Sequence, residues 1–339
     1  MAIYSDKAGI FIIAVALVLS WTVYSKADVW SIQLQNDIVT GTDEHYTNGM
    51  SFYWMSDELK RDDKTVPEEG DYNFILMLFS KASLVDENSD RLSVGFQLGQ
   101  DIYTPSNTSK EELIEDDIPY AGHLYTRYSL FEWHQQVVTS TYLLLGVVGP
   151  VSGAEWSQKT LHRLIGNDEP MGWKHQLQNQ ATIGIGYSYS QKAGELNFEN
   201  DTRLDWTNAF GIEVGNFLTA CSAGAIVRYG HNYPYELAPD YGISGTTGNG
   251  RIVYNSKTDA MGWSLNMGVN FSALAYSLIL DSSDEHNITR DTYTYSGLFS
   301  FSFFISQFEI TFSIHSVRSL TNDPIKPFNW GGLSFSLLT

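Results

Sequence analysis

Two polar residues one helical turn apart, Gln158 and His162, are the best candidates for catalysis in this chain. They share one face of a predicted helix with Glu155, because residues three and four positions apart are neighbours on a helix surface. His162 is the best general base, since an imidazole changes protonation near neutral pH, and Gln158 is placed to orient its ring. The spacing leaves two interpretations open: a general base that activates a water molecule, and a surface histidine on a polar helix face.

Two cations, Lys159 and Arg163, form a second stripe beside this face. A pair of basic side chains on adjacent helical turns could hold a phosphate group. Solvated helix charge is the alternative, and the spacing of the residues favours neither interpretation.

Oxygen ligands occur in two other places. Asn36 and Asp37 end a predicted strand, where such a pair is unusual because neither residue favours strands. Asp168 and Glu169 follow the predicted helix. Carboxylate and amide oxygens suit calcium better than a transition metal, so we predict a calcium site. The alternative is solvated loop acid in a chain rich in acidic residues.

A serine nucleophile is a further alternative, since serines are plentiful. None of them lies in a Gly-x-Ser-x-Gly turn, which favours activated water over a covalent route. The other histidines considered as partners are as plausible as ordinary barrel or loop residues: His45, His123, His134 and His315.

The helix that carries Gln158 and His162 has sequence signals at both ends. Ser152 is the predicted N-cap, Glu155 would complete a capping box, and Gly166 supplies the stop. The sequence therefore predicts a short helix in a loop between two strands.

The surrounding elements are strands. Apolar residues alternate with small or polar ones, the period of a strand with two unlike faces, at residues 92–99, 183–190, 299–303 and 308–315. Only Phe304 to Gln307 separates the last two runs, which is short enough for a hairpin. About a dozen strands are expected, in one domain.

We predict an all-β fold, a transmembrane antiparallel β-barrel of about 12 strands with the short helix in an extracellular loop. Long acidic connections at residues 56–90, 104–117 and 281–290 contrast with short turns, as in barrels with short periplasmic turns and long external loops. Residues 72–79 would form a second short helix packed on the barrel mouth. A soluble sandwich is the alternative fold.

Composition and the first residues limit the compartment and the partners. Met1 to Ala27 is predicted as a signal peptide, with residues 28–339 as the barrel domain; an uncleaved anchor is the alternative. The formal net charge of −19 argues against a nucleic-acid partner. Cys221 is the single cysteine, so no intrachain disulfide can form.

Five motifs in order resemble the outer-membrane lipid A 3′-O-deacylase family. They are Asn36-Asp37, Tyr46-Thr47-Asn48-Gly49, Ile102-Tyr103-Thr104-Pro105, Asp117-Ile118-Pro119-Tyr120-Ala121-Gly122 and the helix segment from Gly149-Pro150 to His162. The motifs cover roughly the first half of the mature chain, and the remainder is similar in strand pattern only.

The resemblance implies a calcium-dependent enzyme in the outer membrane of a Gram-negative bacterium. Such an enzyme removes the 3′ acyloxyacyl chain of lipid A, the lipid part of lipopolysaccharide, and we expect a monomer. His162 would be the base that activates water, with Gln158 beside it. The catalytic lysine of the family has no counterpart in the strand around residues 97–102.

The resemblance also assigns the calcium and oxyanion region. Asn36, Asp37 and Thr47 would form it, and Asp168 or Glu169 would be the acid that follows the helix. Two alternative functions are a non-enzymatic barrel, either a pore or a structural protein whose polar residues line the lumen, and an outer-membrane phospholipase with the same machinery.

Overall fold

Alternating side chains build the strands as the sequence predicts. Ile183 and Ile185 point away from the barrel and are 54% and 57% exposed, whereas Gly184 and Gly186 between them are buried on the inner face. Apolar side chains outside and small or polar ones inside are the arrangement of a barrel that faces lipid.

The computed structural model describes residues 29–37, 45–57, 73–82, 84–86, 89–234, 258–281, 286–318 and 328–338. The strands in these ranges are β1 Val29–Asn36, β2 His45–Met55, β3 Arg91–Thr104, β4 Ala121–His134, β5 Val137–Val148, β6 Gln180–Asn197, β7 Thr202–Gly215, β8 Leu218–His231, β9 Thr258–Ser277, β10 Tyr293–Ser306, β11 Phe308–Val317 and β12 Phe328–Leu338. The α-helices are α1 Asn73–Lys81, α2 Ala154–Ile165 and α3 Leu278–Asp281. None of the helices in these ranges is long and apolar enough to cross a membrane. The predicted signal peptide lies outside the described residues.

The twelve strands close on themselves. Each strand pairs antiparallel with its neighbours in the chain, and β1 pairs with β12, with Val29 opposite Leu338 and Asn36 opposite Gly331. Closure gives every strand two partners, which satisfies the backbone in lipid. The predicted antiparallel barrel is confirmed and the soluble sandwich is wrong, because a sandwich keeps two separate sheets.

Connections alternate between the two ends of the barrel because each strand reverses direction. We call the end with the tight hairpin turns at residues 135–136 and 307 the turn rim. The opposite end, with the connections at residues 105–120 and 149–179, is the loop rim. The predicted hairpin between β10 and β11 is confirmed, with a turn shorter than expected.

The connection at residues 56–90 was predicted to lie with the external loops, and this is wrong. It joins β2 to β3 at the turn rim, because one strand separates it from the next connection at the loop rim. It does contain a helix, α1, over most of the predicted run. This helix packs on the outer wall rather than on the barrel mouth, through a cluster of Ile75, Leu76, Phe79, Leu92, Val94 and Leu130.

Side chains fill the lumen. Near the loop rim, an apolar cluster combines inward residues from opposite strands with α3 and the β7–β8 turn: Tyr46, Tyr103, Ile118, Ala121, Val148, Phe217, Leu218, Ala220, Leu274, Leu278, Ile279, Leu280, Val317 and Trp330. Nearer the turn rim, Arg228 donates to both carboxylate oxygens of Asp205 at 2.7 Å. Because the members of the cluster come from strands all round the barrel, they meet across its interior.

Candidate functional site

Helix α2 begins and ends at glycines in the left-handed conformation. Gly153 precedes it with φ 74°, and Gly166 follows it with φ 78° and donates its N–H to the carbonyl of His162. The predicted stop at Gly166 is confirmed. The predicted cap at Ser152 is wrong, since Ser152 ends a 3-10 helix, Pro150–Ser152, and the left-handed Gly153 starts α2 one residue later without a side-chain cap.

The start of α2 lies against the outer wall of β3 and β4. A Cβ atom on Gly122 would lie 2.1 Å from Ala154 Cβ and 2.3 Å from Ser152 Oγ, so only glycine allows this approach. Gln100 Nε2 donates to the Ser152 carbonyl at 2.7 Å. A buried cluster of Ile102, Tyr120, Ala154 and Trp173 completes the contact.

The strand register places the end of β1 at the same height on the barrel wall as the start of α2. Asn36 lies opposite Asn48, Asn48 opposite Ile102, and Ile102 opposite Gly122. These four residues form one row across β1 to β4, and the row ends beneath the start of α2. Two motifs that are far apart in sequence therefore lie at one height on the barrel.

Asn36 faces outward. Its neighbours on the same face of β1, Ile32 and Leu34, are 50% and 43% exposed, while Gln33 and Gln35 on the other face are buried. The prediction that Asn36 shares the lipid side of its strand is confirmed, and the row from Asn36 to Gly122 lies on the outer surface of the barrel.

His162 is held at the buried face of α2. Its side chain is 1% exposed, and Nδ1 lies 2.6 Å from the carbonyl oxygen of Asp168. A carbonyl oxygen only accepts, so Nδ1 carries a hydrogen, and Nε2 is the ring nitrogen that remains for another partner. Nε2 is buried and has no hydrogen-bond partner among the residues that the structure describes. Nε2 is therefore the ring atom that would act as a general base.

Gln158 lies one turn earlier on the same buried face. Trp173 Nε1 donates to Gln158 Oε1 at 2.8 Å, and both side chains are buried. Gln158 Nε2 is also buried without a hydrogen-bond partner in the described part of the chain. Leaving such a group unpaired costs about 1–3 kcal/mol, so two of them one turn apart make this face a candidate binding site.

The predicted calcium ligands are only partly placed. Asp37 is fully buried directly after β1. The side chains of Asp168 and Glu169 are exposed beyond α2, and Glu169 lies 3.5 Å from Arg163 Nε. Thr47 lies at an irregularity in β2, and its side chain is outside the described residues. No group of three or more His, Cys, Asp or Glu side chains within the described ranges is close enough to hold a metal.

The two cations of α2 lie on its accessible side. Lys159 Nζ is 2.8 Å from Glu155 Oε1, and Arg163 Nε donates to the Lys159 carbonyl at 3.1 Å. Glu155 was predicted on the face of Gln158 and His162, and this is wrong. That face consists of Ala154, Gln158 and His162, because the small Ala154 is what fits against Gly122.

Sequence reasoning missed Trp173 and Gln100. Trp173 lies in a 3-10 helix, Gly172–His175, and packs against Tyr120 with ring centroids 5.0 Å apart and ring planes tilted by 52°. An aromatic residue in a largely polar connection was the available signal. Next to it, Lys174 Nζ bonds Glu111 Oε1 at 2.9 Å, and this hydrogen bond lowers the pKa of Glu111 below its ordinary value.

Two other histidines, His123 and His315, stack on aromatic rings inside the barrel. His123 stacks on Phe217 inside the lumen with centroids 3.9 Å apart, and His315 stacks on Trp330 at 5.0 Å. The side chain of His45 lies outside the described residues. A serine nucleophile beside His123 or His315 would therefore be inside the barrel, away from α2.

Comparisons with known proteins decide the family. The family model described as outer membrane protein LpxR matches residues 10–338. The chain belongs to the LpxR family. The resemblance carried by the five motifs is therefore confirmed, and this LpxR-family protein is an outer-membrane barrel.

One solved structure shares this fold. LpxR from Salmonella typhimurium is 15% identical, and the match covers 92% of this chain and 100% of that chain with a TM-score of 0.73. The β-domain of the Bordetella autotransporter BrkA is 9% identical over 92% of this chain and 97% of that chain, with a TM-score of 0.44. No curated protein sequence matches the chain. The roles of individual site residues in this LpxR-family protein stay predictions.

Proposed function

We propose that this protein hydrolyses the 3′ acyloxyacyl ester of lipid A in the outer leaflet, with His162 as the base and calcium as cofactor. The central support is the pair of buried nitrogen atoms, His162 Nε2 and Gln158 Nε2, that lack partners within the described ranges. They lie under a helix on the outer wall of the barrel, the side that faces lipid. Family membership supports the choice of lipid A as the substrate.

The reaction needs one base and one water molecule. His162 Nε2 takes a proton from water while the water oxygen attacks the ester carbonyl carbon. The tetrahedral intermediate then breaks its bond to the 3′ oxygen of lipid A, and His162 returns the proton to that oxygen. The products are an acyloxyacyl carboxylic acid and a 3′ hydroxyl, and general base catalysis of this kind contributes about 10²- to 10⁴-fold.

Gln158 orients the reacting groups. Its Oε1 is occupied by the Trp173 N–H, so Nε2 is the group that remains to donate a hydrogen bond to the water or to the ester oxygen. The amide is neutral and fixed, and it therefore needs no reorganisation as charge develops on the substrate.

Calcium fits the oxygen donors that this chain offers. Asn36, Asp37 and Thr47, with Asp168 or Glu169, would hold it, and such hard oxygen ligands are those that calcium prefers. The buried carboxylate of Asp37, next to the outward Asn36, supports this placement. When bound, calcium polarises the ester carbonyl and offsets the negative charge of the oxyanion.

The alternative of a passive pore lacks structural support. The apolar cluster of the loop rim, with Phe217, Leu278 and Trp330 among its members, meets across the lumen. A water-filled channel needs a polar and open interior. The closed barrel also leaves no strand edge that requires a second copy, which favours a monomer.

The test is mass spectrometry of lipid A from outer membranes that contain the protein. We expect loss of the 3′ acyloxyacyl mass with calcium, and intact lipid A with chelator or with His162→Ala. His231→Ala is the matched control, because His231 also has Nδ1 bound to a carbonyl, that of Asn200 at 2.8 Å, but lies at the turn rim. Unchanged lipid A in the calcium sample of a correctly assembled wild type would contradict the proposal.

A further inference from the structure

A second site lies on the outer wall near the turn rim, far from α2. It is a groove of about 580 Å³ whose floor is formed by β4, β5 and β6 and whose edge is the segment at residues 84–86. Its lining residues are Leu84, Val85, Asp86, Glu132, His134, Val137, Thr139, Thr141, Tyr187 and Tyr189. The groove thus opens toward the membrane rather than toward the lumen.

The strand register arranges the floor in rows. Glu132 lies opposite Thr139, and Thr139 lies opposite Tyr189. One step toward the loop rim, Thr141 lies opposite Tyr187. All of these residues are on the outer face, so a carboxylate, two hydroxyls and two aromatic rings form one continuous patch.

Glu132 is the unusual member of this patch. It is a carboxylate on the lipid side of a barrel strand, and it is only 5% exposed because residues 84–86 cover it. Its Oε1 accepts the N–H of Asp86 at 2.7 Å, and Asp86 Oδ2 lies 3.6 Å from His134 Nε2. Ionisable side chains on a membrane-facing surface are expensive and commonly mark functional sites.

The height of the groove on the barrel identifies its surroundings. Glu132 is three residues from the tight turn at residues 135–136, and the short turns of outer-membrane barrels face the periplasm. Tyr187 and Tyr189 belong to the aromatic girdle that such barrels place at the interface. The groove therefore lies at the level of the lipid headgroups of the periplasmic leaflet.

We propose that this groove binds a phospholipid whose headgroup carries a primary ammonium group. Glu132 and Asp86 supply the negative charge, and the faces of Tyr187 and Tyr189 attract a cation. Thr139 and Thr141 offer hydroxyl donors to the phosphate oxygens next to the ammonium group. An anionic headgroup without an amine would meet the two carboxylates and be repelled.

The remainder of the lipid is also accommodated. Leu84 and Val85 form an apolar edge beside the headgroup. Above Tyr187 on β6, Ile185 and Ile183 are exposed on the outer wall, and the acyl chains would run along them. The site is separate from His162 and requires no deacylase activity.

The experiment is native mass spectrometry of the full-length protein in detergent with phosphatidylethanolamine or phosphatidylglycerol of identical acyl chains. We expect the wild type to retain phosphatidylethanolamine roughly fivefold better, and Glu132→Gln to lose that preference. Glu199 lies at an exposed turn of the same rim, so Glu199→Gln removes the same charge outside the groove. This variant should keep the preference for phosphatidylethanolamine. If Glu132→Gln fails to fold, Tyr187→Leu tests the ring face and should give the same loss.

Three results would overturn the proposal. Equal retention of the two lipids by the wild type would show that the ammonium group is not recognised. An undiminished preference for phosphatidylethanolamine in both groove variants would show that the lipid binds outside the groove. Displacement of the lipid by millimolar ethanolamine, without dependence on acyl chains, would reassign the groove to a soluble amine.

Discussion

Trp173 donates its indole N–H to Gln158 Oε1 at 2.8 Å, and both side chains are buried beneath α2. Because an indole nitrogen only donates, this bond fixes which end of the amide is oxygen. Gln158 Nε2 is then directed away from Trp173, on the face that also carries His162. Trp173 is thus a positioning residue that acts through Gln158.

Replacing Trp173 with Phe should leave the ring packing on Tyr120 and free the amide to rotate. We expect kcat for deacylation to fall roughly fivefold to tenfold with little change in KM, since one buried hydrogen bond is worth about 1 kcal/mol. In a Gln158→Ala background the same change should have no further effect. Trp156→Phe, on the accessible side of α2, is the control. Additive losses in the double variant would exclude positioning through Gln158.

Removal of the Asp37 charge should weaken calcium binding. Asp37→Asn keeps the size of a fully buried side chain but removes a hard anionic ligand. We expect the calcium dissociation constant, measured by calorimetry on the detergent-solubilised protein, to rise roughly tenfold or more. Glu112→Gln, an exposed acid at the loop rim, should leave it unchanged. Equal calcium affinity of Asp37→Asn and the wild type would remove Asp37 from the site.

Asp168 has two separable contributions. Its carbonyl oxygen holds His162 Nδ1, and that contact survives replacement of the side chain. Asp168→Ala should therefore keep the rate at saturating calcium and raise the calcium concentration needed for half activity. A calcium titration of lipid A deacylation measures both quantities. A lower rate that calcium does not restore would show that the side chain does more than bind the metal.

Lys159 and Arg163 should contribute to binding of the lipid A phosphates. Their present partners, Glu155 and Glu169, form exposed ion pairs, which are worth only about 0–1 kcal/mol and are easily exchanged for a substrate phosphate. Reversing both charges to Glu should raise KM about tenfold and leave kcat nearly unchanged.

The matched control for this charge reversal uses two other exposed cations near the loop rim. Lys110→Glu with Arg318→Glu makes the same change in net charge outside α2. An equal rise of KM in both double variants would indicate a general effect of charge on the approach of an anionic lipid. An unchanged KM in the α2 variant would exclude a phosphate site on this helix.

The strands could be predicted from the sequence because their signal is local. Residues 183–190 alternate apolar with small or polar side chains, and they lie within β6. The side of the barrel on which a connection lies is not local, since it depends on how many strands come before it. That is why residues 56–90 were assigned to the wrong rim although the strand that follows them was predicted at residues 92–99.

The candidate site was predictable only where helix periodicity applies. Gln158 and His162 are four residues apart, and their shared face followed from that spacing. Which face would be buried depended on Gly122, a residue on another element whose missing side chain admits Ala154. The contact between Trp173 and Gln158 joins two elements at a spacing with no helical period, so no local pattern indicates it.

Gly122 should be essential for the site but not for the barrel. A side chain there would overlap Ala154 Cβ and Ser152 Oγ, so Gly122→Val should push the start of α2 off the wall and separate His162 from the row that contains Asn36. We expect deacylation to fall by about a hundredfold or more, since small displacements of catalytic groups cost that much. The barrel itself should still form, because valine favours strands.

Heat-modified migration in gels measures barrel formation, and limited proteolysis within residues 149–179 measures release of α2. Gly297→Val is the matched control, since Gly297 lies on β10 and a Cβ there meets nothing within 4 Å. It should keep both activity and protease resistance. Full activity of Gly122→Val would mean that α2 need not touch the wall, and the assignment of His162 to a site on the outer face of the barrel would then fail.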